Sequence, residues 1–186
     1  MPDHQSSSAR KEPHEIPASK ARYTLSCASA DGSTIQSLRR LLGEDVVLLP
    51  CGKGEKGSRW ERWQEFTIGK MGDEHYLRAL NRAHNIAVLL GSASGGLCTI
   101  DIDGDESIEP FLALNPKLAM TLRSRGKRGC NLWVRIKGNF PRSSMFKRQD
   151  GSPWGEWRSD RFCTMIHGVH PDGMRYERSP EVPPVG

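Results

Sequence analysis

The chain has 186 residues, of which 36% are hydrophobic and 26% charged, and its formal net charge at pH 7 is +5. This length suits one domain with a buried core, while no apolar run approaches the roughly 20 residues that a membrane-spanning helix needs. The composition therefore argues against a membrane protein, and because the polar N-terminus lacks the apolar segment of a secretory signal, we expect a cytoplasmic protein.

The two ends of the chain differ in composition from the middle. Residues 1–22 contain almost no apolar side chains, so they cannot bury enough surface to fold, and we predict a disordered tail there. Residues 178–186 contain three prolines, which predicts an extended linker or tail and suggests the front module of a longer protein. We expect residues 23–177 between them to form one folded domain.

Hydrophobic periodicity in this domain predicts helices that alternate with short strands. Apolar residues at helical spacing predict helices over 34–42, 73–83 and 108–114, the second of them capped by Asp73. Short apolar runs bounded by polar or turn residues predict strands over 46–49, 86–90, 97–103, 120–123, 131–136, 154–158 and 162–167. Because strand pairs alternate with helices, we expect an α+β fold with a largely antiparallel sheet flanked by helices.

The cysteines give no indication of a disulfide framework or of a zinc site. They are odd in number, widely spaced and without a C-x-x-C pair, at Cys27, Cys51, Cys98, Cys130 and Cys163. This pattern predicts reduced thiols in or near the core.

Two segments that contain glycine also carry clustered cations. The first cluster consists of Lys53, Lys56, Arg59 and Arg62, and the second of Arg123, Arg125, Lys127 and Arg128. Glycine lets the backbone approach a phosphate closely, which favours a polyanionic ligand. Charged, glycine-rich segments are equally typical of solvated loops. Either cluster alone is compatible with both interpretations.

An acidic pair, Asp101 and Asp103, stands at the end of the strand predicted over 97–103. Side chains alternate between the two faces of a strand, so both carboxylates lie on one face while Ile100 and Ile102 point into the core. Neighbouring anions repel each other unless a cation lies between them. Because Mg²⁺ is held by one or two carboxylates together with substrate phosphates, the pair points to metal and phosphate chemistry.

Four segments, taken in order along the chain, carry a resemblance to a known family. They are residues 85–91, 95–103, 121–133 and 155–158. This series is similar to the prim-pol branch of the archaeo-eukaryotic primase superfamily, the N-terminal primase-polymerase domains of replication proteins from phages, plasmids and mobile elements. The resemblance covers residues 46–176 and implies that residues 23–177 form a catalytic domain with an RRM-like palm sheet.

The resemblance also implies roles for individual residues. Asp101 and Asp103 match the first acidic motif of the family and Glu156 matches the third, so these three would be catalytic residues that bind Mg²⁺ or Mn²⁺. Asn131 stands where the family has a histidine that contacts the phosphates of the nucleotide, and asparagine offers only a neutral hydrogen bond. The other residues assigned to the nucleotide are Lys127, Arg128, Arg158, Arg161 and His167.

The segment with Lys53, Lys56, Arg59 and Arg62 resembles a Gly/Lys-rich stretch of the family and would face nucleic acid. Three tryptophans are candidates for stacking on bases, namely Trp133, Trp154 and Trp157. Core packing is the expected place of at least two of them.

These assignments together imply a template-dependent nucleotidyltransferase, a DNA primase/polymerase that makes or extends a primer from NTPs or dNTPs on a single-stranded DNA template. Because the sequence contains no P-loop, helicase activity would belong to a partner domain or subunit. Two alternatives stay open. One is a replication-initiation module that binds DNA or nucleotides with weak catalysis because of Asn131, and the other is a metal-dependent nuclease.

Overall fold

The structure is a computed structural model that describes residues 24–25, 32–179 and 182–186. The tail predicted over residues 1–22 lies outside the described residues. The helices in the described ranges are α1 (Gly32–Leu42), α2 (Glu74–Asn81) and α3 (Asp105–Leu114). No helix in these ranges combines the length and the apolar character that crossing a bilayer requires.

The described strands form two antiparallel sheets. In chain order the strands are β1 (Thr24–Leu25), β2 (Val47–Cys51), β3 (Asn85–Leu89), β4 (Leu97–Ile102), β5 (Arg123–Arg125), β6 (Cys130–Arg135), β7 (Ser144–Lys147), β8 (Pro153–Arg158), β9 (Cys163–His167) and β10 (Glu177–Arg178). The larger sheet has the order β1-β10-β5-β6-β4-β8-β7, and the smaller has the order β2-β3-β9. The predicted α+β class with a largely antiparallel sheet is confirmed.

Apolar contacts hold the helices and both sheets together. One cluster joins Leu38 of α1 and Tyr76 of α2 to the smaller sheet and to Trp133 of the larger one. A second cluster lies between β4, β6 and β8 of the larger sheet and the apolar side of α3. A hydrogen bond of 2.9 Å between the hydroxyl groups of Thr99 on β4 and Thr164 on β9 links the two sheets directly. These contacts fix the position of β4 relative to β9.

Several element boundaries differ from the prediction for local reasons. Helix α3 begins at Asp105, three residues before the predicted start at residue 108. Two acidic residues in its first turn stabilise this earlier start. Strand β7 was not predicted, since its side chains are largely exposed and show no alternation of apolar and polar residues. The start of the strand predicted over 120–123 belongs instead to a 3₁₀ helix, Pro116–Met120.

The cysteine prediction is confirmed for the described residues. Cys51, Cys98 and Cys130 are buried, Cys163 is half-buried, and no disulfide joins any of these four. Burial raises the pKa of Cys51, Cys98 and Cys130 to about 12, so these thiols stay protonated at neutral pH. Cys27 lies outside the described residues.

The described part of residues 178–186 belongs to the folded domain, which corrects the prediction of a linker or tail. Strand β10 pairs with both β1 and β5. The amide of Val185 donates to Thr121 Oγ1 at 3.0 Å, and its carbonyl oxygen accepts from the amide of Arg135 at 2.7 Å. Proline favours the extended backbone seen here, and its own carbonyl oxygen still accepts hydrogen bonds at a sheet edge.

Asp73 caps α2, as predicted, and this cap gives a testable pH dependence. Its carboxylate accepts from Lys70 Nζ at 2.7 Å and from the amide of Tyr76 at 3.1 Å, and these bonds lower its pKa from 3.8 to about 2. A lowered pKa stabilises the fold above the ordinary value, and this contribution is lost as the pH falls from 3.8 toward 2. We expect Asp73→Ala to lower the urea midpoint at pH 7, and the deficit to shrink in that acid range.

Asp73→Asn is the matched control, because it keeps an oxygen acceptor for the cap but has no charge to titrate. The difference in urea midpoint between Asp73→Asn and Asp73→Ala should stay constant as the pH falls. A deficit of Asp73→Ala that is equally large at every pH would contradict the assignment.

Candidate active site

Asp101, Asn131 and Glu156 lie side by side across three neighbouring strands. Asp101 on β4 is paired directly with Asn131 on β6 and with Glu156 on β8. Directly opposed residues on antiparallel strands project from the same face of the sheet. The structure therefore brings one residue from each of the three predicted motifs into a single row.

Asp103 follows this row immediately beyond the end of β4 and is exposed. Its backbone amide donates to the carbonyl oxygen of Trp154 at 3.4 Å. This bond ties the end of β4 to the start of β8. The predicted acidic pair thus consists of one partly buried carboxylate in the sheet and one exposed carboxylate at its edge.

Arg158 joins the two acids of the row. Its Nη2 atom lies 2.5 Å from Asp101 Oδ2, and its Nε atom donates to Glu156 Oε2 at 2.7 Å. Burial raises the pKa of Asp101, Arg158 opposes that shift, and the neighbouring Asp103 and Glu156 add to it. Burial also disfavours the charge of Arg158, but the two acids outweigh it and raise the pKa of the guanidinium. Arg158 therefore offsets part of the negative charge of the two acids in the row.

A cavity of about 590 Å³ opens beside this row. Six residues predicted for the site line it, namely Asp101, Asp103, Lys127, Arg128, Asn131 and Arg158. Lys56, predicted to face nucleic acid, lines the same cavity. Acidic groups that suit a cation and basic groups that suit phosphate thus share one space.

Three other predicted residues do not line this cavity. Glu156 stands in the row, but its carboxylate is engaged by Arg158. Arg161 lies in the exposed turn between β8 and β9, with a φ of +67°. His167 is only 2% exposed and pairs with Ile86 inside the smaller sheet, so its position does not support a contact with the nucleotide.

The rest of the first basic cluster lies outside the cavity. Lys53, Arg59 and Arg62 are exposed. Arg59 forms an ion pair with Glu55, and Arg62 Nη2 lies 2.5 Å from Glu65 Oε2. Of the four predicted cations, only Lys56 lines the cavity beside the row.

The tryptophan prediction is confirmed for two residues. Trp133 is fully buried and donates from Nε1 to Ser124 Oγ at 2.9 Å. Trp157 is 9% exposed and donates to the carbonyl oxygen of Pro141 at 3.0 Å. Trp154 is half-buried and packs edge-on against Phe111, outside the cavity.

Sequence reasoning missed His170, Asp172 and Tyr176 as residues of the site, yet all three line the cavity. The available signal was the sequence His-Pro-Asp-Gly at 170–173, which is typical of a turn. No local pattern indicated which face of the molecule this turn would meet. Only the tertiary structure places these residues at the cavity.

The oxygen donors beside the cavity suit a hard cation only in part. Within the described ranges, no three His, Cys, Asp or Glu side chains are grouped closely enough to hold a metal ion. Asp101 and Asp103 nevertheless line the cavity, and the buried Oδ1 atom of Asn131 has no hydrogen-bond partner among the described residues. Since Mg²⁺ is usually held by one or two carboxylates plus substrate phosphates, these oxygens fit an ion that binds together with phosphate.

Gly129 is required where the loop of Lys127 and Arg128 enters β6. Its φ is +63°, and a Cβ at this position would collide with the carbonyl oxygen of Ile102 on β4. We expect Gly129→Ala to destabilise the fold by more than the about 1–2 kcal/mol that the left-handed conformation alone costs. Urea unfolding measures this change.

Gly138→Ala is the matched control, because Gly138 has a φ of +81° but an added Cβ would meet nothing within 4 Å. If Gly129→Ala loses more unfolding free energy than Gly138→Ala, the difference measures the collision of the added Cβ with β4. Equal losses in the two variants would contradict the close approach of the loop to the strand.

Comparisons with known proteins bear on this site. A family model described as "Bifunctional DNA primase/polymerase, N-terminal" matches residues 38–185, which is most of the chain and includes every residue of the row. No curated protein matches the chain.

Proposed function

We propose that this chain, which belongs to the bifunctional DNA primase/polymerase (Prim-Pol) family, is a template-dependent nucleotidyltransferase that makes or extends a primer from NTPs or dNTPs. The family match implies primase/polymerase chemistry in general terms. The observation that carries the specific proposal is the row of Asp101, Asn131 and Glu156 across three strands, beside a cavity lined by cations.

In this proposal the acidic groups and the basic groups have separate tasks. Asp101 and Asp103 would hold Mg²⁺ or Mn²⁺ together with the triphosphate. When bound, such an ion neutralises the charge that develops on the transferred phosphoryl group. Lys127 and Arg128 would bind the phosphates, which places the nucleotide beside the acids. Phosphoryl transfer depends mainly on such positioning and charge neutralisation, so a nucleophilic side chain is not required.

Arg158 would keep the row assembled before the substrate binds. Two carboxylates on directly opposed strand positions repel each other. The guanidinium group contacts both Asp101 and Glu156 and offsets that repulsion. Glu156 would therefore act through Arg158, by holding it in place, and not as a direct metal ligand.

Two observations favour a second candidate, a module that binds DNA or nucleotides with little catalysis. Asn131 carries no charge at the position where the resemblance implies a histidine. Arg158 engages an oxygen of Asp101, one of the two carboxylates proposed to bind the ion. A charged group that must be displaced before an ion can bind would slow turnover without preventing the binding of nucleic acid.

The test of the proposed function is an incorporation assay with the purified chain. A labelled single-stranded DNA template, with and without an annealed primer, is incubated with NTPs or dNTPs and either Mg²⁺ or Mn²⁺. We expect new strands on the unprimed template or a lengthened primer on the primed one. Bound template without new product would favour the binding module, and a shortened template would favour a nuclease; either result contradicts the proposal.

A further inference from the structure

The cavity that contains Asp101 is also lined by two loops that an acid holds together. Lys127 comes from the loop before β6, and His170 and Asp172 come from the loop after β9. Asp172 Oδ2 lies 3.3 Å from Lys127 Nζ, and the same atom lies 3.2 Å from His170 Nδ1. Asp172 thus fixes the relative position of a lysine and a histidine at one wall of the cavity.

The imidazole ring of His170 is held on several sides. Its side chain is 11% exposed, and its ring packs edge-on against that of Tyr176, with 5.9 Å between the ring centroids. A Cβ added at Gly126 would lie 3.0 Å from His170 Cδ2, so the backbone of the opposite loop also restricts the ring. A side chain ordered in this way loses little entropy when it binds a ligand.

Both contacts between the His170 ring and Asp172 are made by Nδ1. The backbone amide nitrogen of Asp172 and Asp172 Oδ2 each lie 3.2 Å from Nδ1, so Asp172 occupies Nδ1 and leaves Nε2 for a ligand. Burial and the nearby Lys56 lower the pKa of His170, although Asp172 acts in the opposite direction. A proton on Nε2 makes that atom a hydrogen-bond donor, as it is in the protonated ring and in one of the two neutral tautomers.

The charged groups that act on His170 are two cations, Lys56 and Lys127, and one acid, Asp172, and this excess of positive charge favours an anion. Lys56, Lys127 and Arg128 line the same cavity and carry donors without acceptors. The acids on the other part of the lining are Asp101 and Asp103, which are the candidates for a cation. A ligand that satisfies both sets carries several phosphate groups and binds with a divalent ion.

We propose that His170 is a nucleotide-binding residue, whose Nε2–H donates a hydrogen bond to a phosphate oxygen of the incoming nucleoside triphosphate. The proposal rests on the proposed function, because the triphosphate would occupy the cavity beside Asp101. It adds a specific contact from the loop after β9, where Asn131 in the sheet offers only a neutral amide. His170 then orders the phosphates together with Lys127, to which Asp172 links it.

The experiment measures the affinity of the full chain for dATP in Mg²⁺ without template, so that no product can form. We expect His170→Ala to bind dATP about 10- to 100-fold more weakly, because it loses one hydrogen bond to a charged group. His170→Gln should retain much of the affinity, since the glutamine amide also donates from a similar distance. His84→Ala is the control, because His84 is exposed and lies outside this cavity.

A second measurement separates a direct contact from a general loss of structure. The affinity of each variant for a single-stranded oligonucleotide should equal that of the wild type, and circular dichroism should show that each variant is folded at the assay temperature. Unchanged dATP affinity in His170→Ala would overturn this proposal alone. The proposal would also be overturned if the alanine and glutamine variants each lost affinity for dATP and for the oligonucleotide to the same extent. A wild-type chain that binds no dATP would overturn the proposed function as well.

Discussion

Asp101→Asn is expected to reduce the rate of nucleotide incorporation by about 10³-fold, the order that removal of one charged or polar group at a reacting centre produces. Asp101 is the central member of the row, paired with Asn131 on one side and Glu156 on the other. It also lines the cavity that contains Lys127 and Arg128. Asparagine has nearly the same shape but lacks the negative charge that a divalent ion requires.

The rate is best measured under single-turnover conditions, with saturating dNTP and either Mg²⁺ or Mn²⁺, so that product release does not limit it. Glu109→Gln is the control, because Glu109 is an exposed acid on α3 that does not line the cavity. This variant should react at the rate of the wild type. A wild-type rate in Asp101→Asn would remove the basis for placing the chemistry at this row.

Trp133→Ala should lower the free energy of unfolding by about 3–5 kcal/mol, the usual range for truncating a large buried aromatic side chain. Trp133 is fully buried in the cluster that joins α1 and α2 to both sheets. Its Nε1 atom donates to Ser124 Oγ, so the substitution also leaves that buried hydroxyl group without this donor. The loss combines a cavity with a broken hydrogen bond.

Urea unfolding followed by far-ultraviolet circular dichroism measures this change, because the signal does not depend on the tryptophan that is removed. Trp154→Ala is the control of the same chemical type. Trp154 is half-buried and contacts Phe111 at the edge of the second cluster, so a clearly smaller loss is expected. Equal losses in the two variants would contradict the central place assigned to Trp133.

The acidic pair could be found from the sequence because its pattern is local. Two acids separated by one residue at the end of an apolar run share a face on any strand. Glu156 could be connected to them only through the resemblance to a family, since nothing within the segment 153–158 indicates its partner strand. The register that places Glu156 opposite Asp101 is a property of the assembled sheet.

Two predictions differ from the structure at residues whose surroundings come from distant parts of the chain. His167 follows a strand pattern and was assigned to the nucleotide, but β9 places it inside the smaller sheet. The C-terminal prolines indicated an extended backbone correctly, yet the pairing of that backbone with the sheet was not visible in their composition. In both cases the local conformation was predictable and its partner was not.

The amino-acid sequence alone determined the α+β class, the helix cap at Asp73 and the shared face of the acidic pair, because each depends on residues close together in the chain. Tertiary structure alone decided that Arg158 binds Asp101 and Glu156. It also decided that the turn with His170 reaches the same cavity. The physical reason is that strand register and loop packing are set by the summed contacts of the whole core, which no short segment encodes.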